Sequence, residues 1–309
     1  MPFQLLTNIR EMNPTFKSVL WWIFAVIFTL AAAEYQKITG PTYPMKGKTT
    51  LDSREIKYEL IRTAENNKDA RIAVAVPDTS FKGLISYKRY LSFDSISVTD
   101  MNRSVDTAYD HSFSNLWKLI TGKPRTYSLD TNLVFMMPKQ PAAGKMEYRI
   151  KLSSGKNQAT LEGKNHKPVV MRFKGPVPIH ILLPHVLLMF LGLLFSTRTA
   201  IESLIRGAKT YKYAIWTLIF FIPGGLILGP IVQKYAFGAF WTGWPFGHDL
   251  TDNKALAMVL VWVFAAYKLK KDPGNRLWLV IAAIVVLVVY LIPHSTLGSE
   301  IDYTKMPAK

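Results

Sequence analysis

From Ile179 to the end, this chain is a succession of apolar runs separated by short polar linkers, and that feature narrows its folds more than any other. A segment that crosses the hydrocarbon of a bilayer must satisfy every backbone N–H and C=O internally, so runs of this kind fold as helices. Crossing takes roughly 20 apolar residues, fewer with flanking interfacial groups. Four runs fit in this half: about 181–195, 213–232 (interrupted by Pro223-Gly224-Gly225), 255–267 and 277–292. A fifth, Ser18–Ala33, "SVLWWIFAVIFTLAAA", lies near the N-terminus behind Arg10 and Lys17. Two readings fit it: a retained anchor with Trp21 and Trp22 near one interface, or a signal peptide ending at Ala31-Ala32-Ala33.

Between these halves the pattern changes. In "EIKYELI" (55–61), "RIAVAV" (71–76), "LISYKRY" (84–90), "KMEYRIKL" (145–152) and "PVVMRFKG" (168–175), apolar residues recur at every second position. That is the period of a half-buried strand. Turn signals separate them at Pro77-Asp78, Pro141–Gly144 and Ser153–Gly155. Short strands at this spacing predict an all-β sandwich over residues 36–178. The stretch 91–132 breaks the alternation and reads as an insertion, with "NLWKLI" as a short helix. The chain contains no cysteine, so such a domain must be stable through its core alone, and zinc–thiolate, iron–sulfur and covalent haem sites of the Cys type are excluded.

The net charge of +17 belongs to this topology rather than to nucleic acid. The linker 196–212 holds Arg198, Arg206, Lys209 and Lys212, and the linker 268–276 holds Lys268, Lys270, Lys271 and Arg276. The intervening loop 233–254 balances Lys234 and Lys254 against Asp249 and Asp252. Basic short loops stay on the cytoplasmic side, which places the N-terminus inside and the β domain, the 233–254 loop and the tail 295–309 outside. Much of the remaining basic charge suits anionic lipid headgroups. The organisation expected is therefore an N-terminus with first segment (1–35), an outer β domain (36–178), a four-span domain (179–294) and a tail. A protein partner is expected at the β domain.

The chemistry, if any, collects outside. "FGAFWTGWPFGHDLTDNK" (237–254) packs Phe237, Phe240, Trp241, Trp244 and Phe246 around Gly238, Gly243, Gly247, His248, Asp249 and Asp252. One reading is structural: Trp side chains anchor at the interface, and Thr251 or Asp252 caps the next helix while both aspartates complement its dipole. The density of aromatics exceeds what such a loop needs. His185 in "LLPH" and His294 in "LIPH" stand at the outer ends of two spans. Two imidazoles at similar depth can ligate a metal or a haem iron, or act as pH-sensitive structural groups. His180, His111 and His166 read as solvated or loop residues.

The segment "FGAFWTGW" (237–244), with Asp249, the later "DNK" and the helix "VLVWVFAAYKLKK", resembles the tryptophan-rich outer segment of the haem-handling proteins of cytochrome c assembly. The resemblance implies a haem platform of Phe240, Trp241, Trp244 and Asp249, with His185 and His294 as axial ligands. The chain departs from that pattern at Phe237, in the four residues "PFGH" before Asp249, in having fewer spans and in its β domain. As a whole it also resembles uncharacterised bacterial inner-membrane proteins. Three functions therefore stand side by side: a haem-binding or haem-handling membrane protein, a non-enzymatic structural or partner-binding subunit of an envelope complex, and a metal enzyme using His185, His294, Asp249, Asp252 and Glu300. The last lacks any spaced metal motif. Spans with almost no buried charge and no inverted repeat argue against a channel or transporter.

Overall fold

The computed structural model describes residues 13–104, 131–293, 298 and 300–305. Arg10, His111, the expected helix at 115–120 and His294 lie outside the described residues. The chain divides into a helical unit, Met1–Pro41 with Pro176–Ser299, and a β unit, Thr42–Gly175 with Glu300–Lys309.

The helical unit holds five helices among the described residues: α1 (Pro14–Thr39), α2 (Ile179–Leu204), α3 (Thr210–Phe237), α4 (Leu250–Lys271) and α5 (Leu277–Leu291). The first four are long and apolar enough to cross a membrane, and α5 is a shorter apolar helix of 15 residues. α1 outruns the apolar stretch seen in the sequence because its polar ends are helical too. Asn13 accepts the Thr15 N–H at 2.9 Å, Pro14 sits at the first helical position where no N–H is needed, and the helix runs 26 residues. At 1.5 Å per residue this is about 39 Å.

α1 packs into the bundle. Trp22 makes edge contacts with Phe195 (5.2 Å) and Tyr213 (5.5 Å), Ala25 is fully buried, and the Gln36 amide donates to the Tyr290 carbonyl at 3.0 Å. The two basic linkers meet at one end of the bundle, where Arg276 donates to the Gly207 carbonyl (2.9 Å) and the Thr210 hydroxyl (3.1 Å). At the other end, the Lys254 ammonium donates to the carbonyls of Ile292 (2.9 Å) and Pro293 (3.3 Å), closing the C-terminal end of α5.

Pro223-Gly224-Gly225 does not break α3. Residues Ile222–Leu228 widen into a π-helical turn, in which the Gly229 N–H reaches back to the Gly224 carbonyl. Proline lacks the N–H that a regular α-turn would use, and a π-bulge absorbs that defect within the helix.

The β unit contains β1 (Met45–Leu51), β2 (Arg54–Leu60), β3 (Thr63–Glu65), β4 (Ala70–Val76), β5 (Phe81–Arg89), β6 (Ser97–Asp100), β7 (Asn102–Ser104), β8 (Thr131–Met137), β9 (Lys145–Ser154), β10 (Asn157–Leu161) and β11 (Val169–Lys174). They form a β1–β2 hairpin, a three-stranded β4–β8–β7 sheet and a six-stranded sheet ordered β3–β11–β9–β5–β6, with β10 also on β9. The pairing is antiparallel except for β3 with β11, and no sheet closes into a barrel. β9 explains the six-stranded sheet. One edge pairs with β5 along its length, and the other is shared by β11 near its start and β10 near its end.

The alternation seen in the sequence becomes the core. Ile72, Val74 and Val76 of β4 and Met146, Tyr148, Ile150 and Leu152 of β9 join one hydrophobic cluster drawn from all three sheets. Each such side chain contributes about 1.5–3 kcal/mol on burial, which is how a cysteine-free unit holds. The fully buried Tyr148 donates its hydroxyl to the Ile61 carbonyl at 2.8 Å.

The tail belongs to this unit. The Ile301 N–H donates to the Ala143 carbonyl (3.3 Å), the Tyr303 hydroxyl donates to the Gln140 amide oxygen (3.1 Å), and the Arg89 guanidinium lies 4.7 Å over the Tyr303 ring. Glu300 pairs with Lys145. Burial pushes the Lys145 ammonium below its ordinary range, and the bond to Glu300 opposes that shift.

Candidate functional site

The aromatic loop starts where α3 stops. Gly238, at φ 90°, ends the helix by donating its N–H to the Lys234 carbonyl at 2.9 Å. The loop ends at Asp249, whose carboxylate accepts the N–H groups of Thr251 (2.7 Å) and Asp252 (3.4 Å) and so caps α4. The sequence suggested Thr251 or Asp252 for that cap. It falls to Asp249, because Asp252 is turned to the loop.

Asp252 organises everything between. Its Oδ2 accepts the N–H of Thr242 (2.6 Å), the N–H of Gly243 (2.9 Å) and the Thr242 hydroxyl (3.4 Å), and the residue is 5% exposed. Next to it, Asn253 accepts the Trp244 N–H at 2.6 Å, and Gln233 of α3 donates to the Thr242 hydroxyl at 2.6 Å. Two glycines are required by these close approaches. A Cβ at Gly243 would lie 2.6 Å from the Asp252 Cβ, and one at Gly247 would lie 2.3 Å from the Thr242 carbonyl oxygen.

The loop's backbone is thus knitted inward and its rings are sorted. Trp241 is partly buried, with its indole N–H donated to the Trp244 carbonyl at 3.0 Å. Phe240, Trp244 and Phe246 point out, at 57%, 69% and 83% exposure. Lys234 lies 5.4 Å from the Phe240 ring. Of the residues proposed for a haem platform, Phe240 and Trp244 therefore offer open faces, while Trp241 and Asp249 are spent on the loop and its helix. Phe246, the most exposed of the three rings, was not among them.

His185 sits in α2, with its Nδ1 2.9 Å from the Gly224 carbonyl in the π-turn. A carbonyl only accepts, so Nδ1 carries the proton and Nε2 keeps its lone pair. This is how ligating imidazoles are oriented. His180 is exposed, and His166 bonds Glu162 at 2.6 Å on the surface of the β unit. The proposed metal set divides. Asp249 and Asp252 bind backbone amides of the helical unit, and Glu300 is on Lys145 in the β unit. Among the described residues, no group of three or more His, Asp or Glu side chains is placed to hold a metal ion.

One constellation was missed. From the sequence, Arg198 falls in a polar linker and the spans carry almost no buried charge. In the structure Arg198 and Glu202 lie inside α2, 2% and 5% exposed, with a guanidinium–carboxylate distance of 2.7 Å. The guanidinium lies over the rings of Trp22 (5.6 Å) and Tyr213 (5.0 Å), which touch each other edge-on, and Glu202 also accepts the Lys209 N–H at 3.1 Å. The four-residue spacing of "RTAIE" was the available signal.

No protein-family model, curated protein or solved structure matches the chain.

Proposed function

We propose that this chain is a multi-pass protein of a bacterial inner membrane that carries an immunoglobulin/fibronectin-like β-sandwich on the outer face as a partner-binding module, without catalysing a reaction. The observation that carries this reading is the use of the loop's carboxylates. Asp249 and Asp252 serve backbone amides, leaving a loop whose outward groups are the rings of Phe240, Trp244 and Phe246 with the exposed His248. Such a cluster of exposed rings suits a surface that binds or anchors.

The arrangement of helices supports the orientation. The two basic linkers share one end of the bundle, as the positive-inside rule requires of cytoplasmic loops. The chain leaves the β unit at Gly175 and rejoins it at Glu300, so an even number of crossings must intervene, and α2 to α5 make four. α5, with 15 residues, is short for the bilayer, a mismatch that local thinning and flanking residues reaching to the interface accommodate. The packing of Trp22, Ala25 and Gln36 supports a first segment that stays as part of the bundle.

The cysteine-free chain makes the test direct. Lys156→Cys, in the β9–β10 turn, is expected to react with a membrane-impermeant maleimide in intact cells whose outer envelope admits the reagent. Ala208→Cys, in the basic linker, is expected to react only after the inner membrane is opened. The reverse pattern would overturn the orientation and the outward module with it.

A second reading keeps haem handling, because His185 is oriented through Nδ1 with Nε2 as its lone-pair donor. Protein purified with haem available would then show a Soret band that His185→Ala removes. A colourless protein that stays colourless on haem titration rejects it.

A further inference from the structure

The last turns of α4 hold two cations over aromatic rings. Trp262, Ala265 and Leu269 face the core of the helical unit. With about 3.6 residues per turn, Leu260, Phe264, Tyr267 and Lys271 line the opposite side of the helix, where Phe264 and Tyr267 are 41% and 57% exposed. On that side the Lys268 ammonium lies 5.5 Å from the centre of the Phe264 ring, and the Lys271 ammonium 5.9 Å from that of Tyr267. Phe264 meets Trp278 of α5 edge-on at 4.9 Å, so the rings of the two helices make one floor beside the lysines.

The positive charge here is not neutralised within the chain. Neither ammonium meets a carboxylate among the described residues. The two carboxylates at this end of the bundle are engaged: Glu202 pairs with Arg198, and Asp272 accepts the Gly274 N–H at 2.8 Å. The other basic linker adds Arg206, Lys209 and Lys212, brought to the same end by the bonds of Arg276 to Gly207 and Thr210. A basic last turn suits the dipole of α4, but the dipole does not call for exposed rings beneath two of its lysines. Lys268 and Lys271, three positions apart, are neighbours on the helix surface and repel each other. A phosphate between them removes that repulsion and accepts charge-assisted hydrogen bonds from both. The apolar run of α4 gives way to lysines after Tyr267. In a bilayer this order sets the rings at the level of the lipid glycerol and the ammonium groups at the level of the phosphates.

We propose that the corner formed by Phe264, Tyr267, Lys268, Lys271 and Trp278 binds the headgroup of an anionic phospholipid, with both lysines on its phosphate and the rings against its glycerol and upper acyl chains. This rests on the membrane reading above and gives the basic end of the bundle a lipid partner.

Native mass spectrometry of the full chain in a non-ionic detergent counts bound lipid as phosphatidylglycerol is titrated, with phosphatidylcholine of the same acyl chains as the reference. The first phosphatidylglycerol is expected to bind about ten-fold or more tighter than phosphatidylcholine. Lys268→Gln and Lys271→Gln together are expected to erase that preference, and each alone to weaken it about three-fold. Lys268→Arg with Lys271→Arg is expected to keep it. Arg206→Gln with Lys209→Gln, in the other basic linker, is expected to leave it within about two-fold of the parent. Equal binding of the two lipids overturns the proposal, as does a preference that survives the paired Lys→Gln change. An equal loss in the linker pair also overturns it, since the attraction would then be diffuse. So does displacement of the lipid by equimolar glycerophosphoglycerol, which would mark a site for soluble phosphate. Carbonate washing of membranes that hold the chain separates the two readings. A chain that washes off refutes the membrane reading and this proposal together, whereas a chain that stays but shows no preference for phosphatidylglycerol refutes this proposal alone.

Discussion

Arg198→Ala is expected to lower the stability of the helical unit by about 3–5 kcal/mol, because it leaves a buried carboxylate without its partner. The guanidinium is 2% exposed and makes its ion pair with Glu202 at 2.7 Å. It also stacks on Trp22 and Tyr213, and each such contact is worth about 0.5–2 kcal/mol, so its loss loosens α1 as well. Thermal unfolding in detergent, followed by circular dichroism, reads the effect. Replacing both charges by leucine is expected to recover part of it, since a buried pair exchanged for apolar groups of similar size is often neutral. The recovery stays incomplete because Glu202 also holds the Lys209 N–H at the entry to α3. A loss below about 1 kcal/mol in the single variant would mean that the pair behaves as a solvated surface pair.

Asp252→Ala is the second large effect. It strips the Asp252 acceptor from the Thr242 and Gly243 amides of the loop. Each amide left unpaired costs about 1–3 kcal/mol where water does not reach it. The loop between Gly238 and Asp249 is expected to open, becoming the first site of proteolytic cleavage, with a change in tryptophan emission. Asp252→Asn, which keeps an acceptor, is expected to fall between the alanine variant and the parent. Asp249→Ala should cost less, about 0.5–2 kcal/mol, as a lost helix cap. If Asp252→Ala instead left the loop intact and removed a bound metal, the structural assignment of this carboxylate would be wrong.

These effects show where sequence reasoning reached and where it stopped. The strands with an alternating apolar stripe were legible, because "RIAVAV" and "KMEYRIKL" carry their burial pattern in the residue types. β1 was not, since Lys46, Lys48 and Thr50 alternate with Gly47 and Thr49, and only Leu51 is buried. In α3 the residues "PGG" signalled an interruption, and the π-turn that keeps the helix whole depends on backbone geometry that no residue pattern carries. The expected loop at 233–254 shrinks to the stretch between Gly238 and Asp249, because its ends continue α3 and α4, and the direction of each ring is not legible in the sequence. Asp252 meets Thr242 and Gly243 across ten and nine positions, through a turn that exists only once α3 and α4 are placed. Arg198 and Glu202 had the spacing of a helical pair, yet surrounding polar residues made the stretch read as a linker.

The docking of Glu300–Lys305 gives the β unit an unusual relation to time. Residues 42–175 emerge from the ribosome early, but the groups that cover Lys145, Gln140 and Arg89 are made only after all of α2 to α5. During synthesis the unit must therefore wait, with that edge open, until the last helix has been delivered. Under the proposed topology, completion of the unit then requires the tail to lie on the same side of the membrane as Ala143 and Arg89.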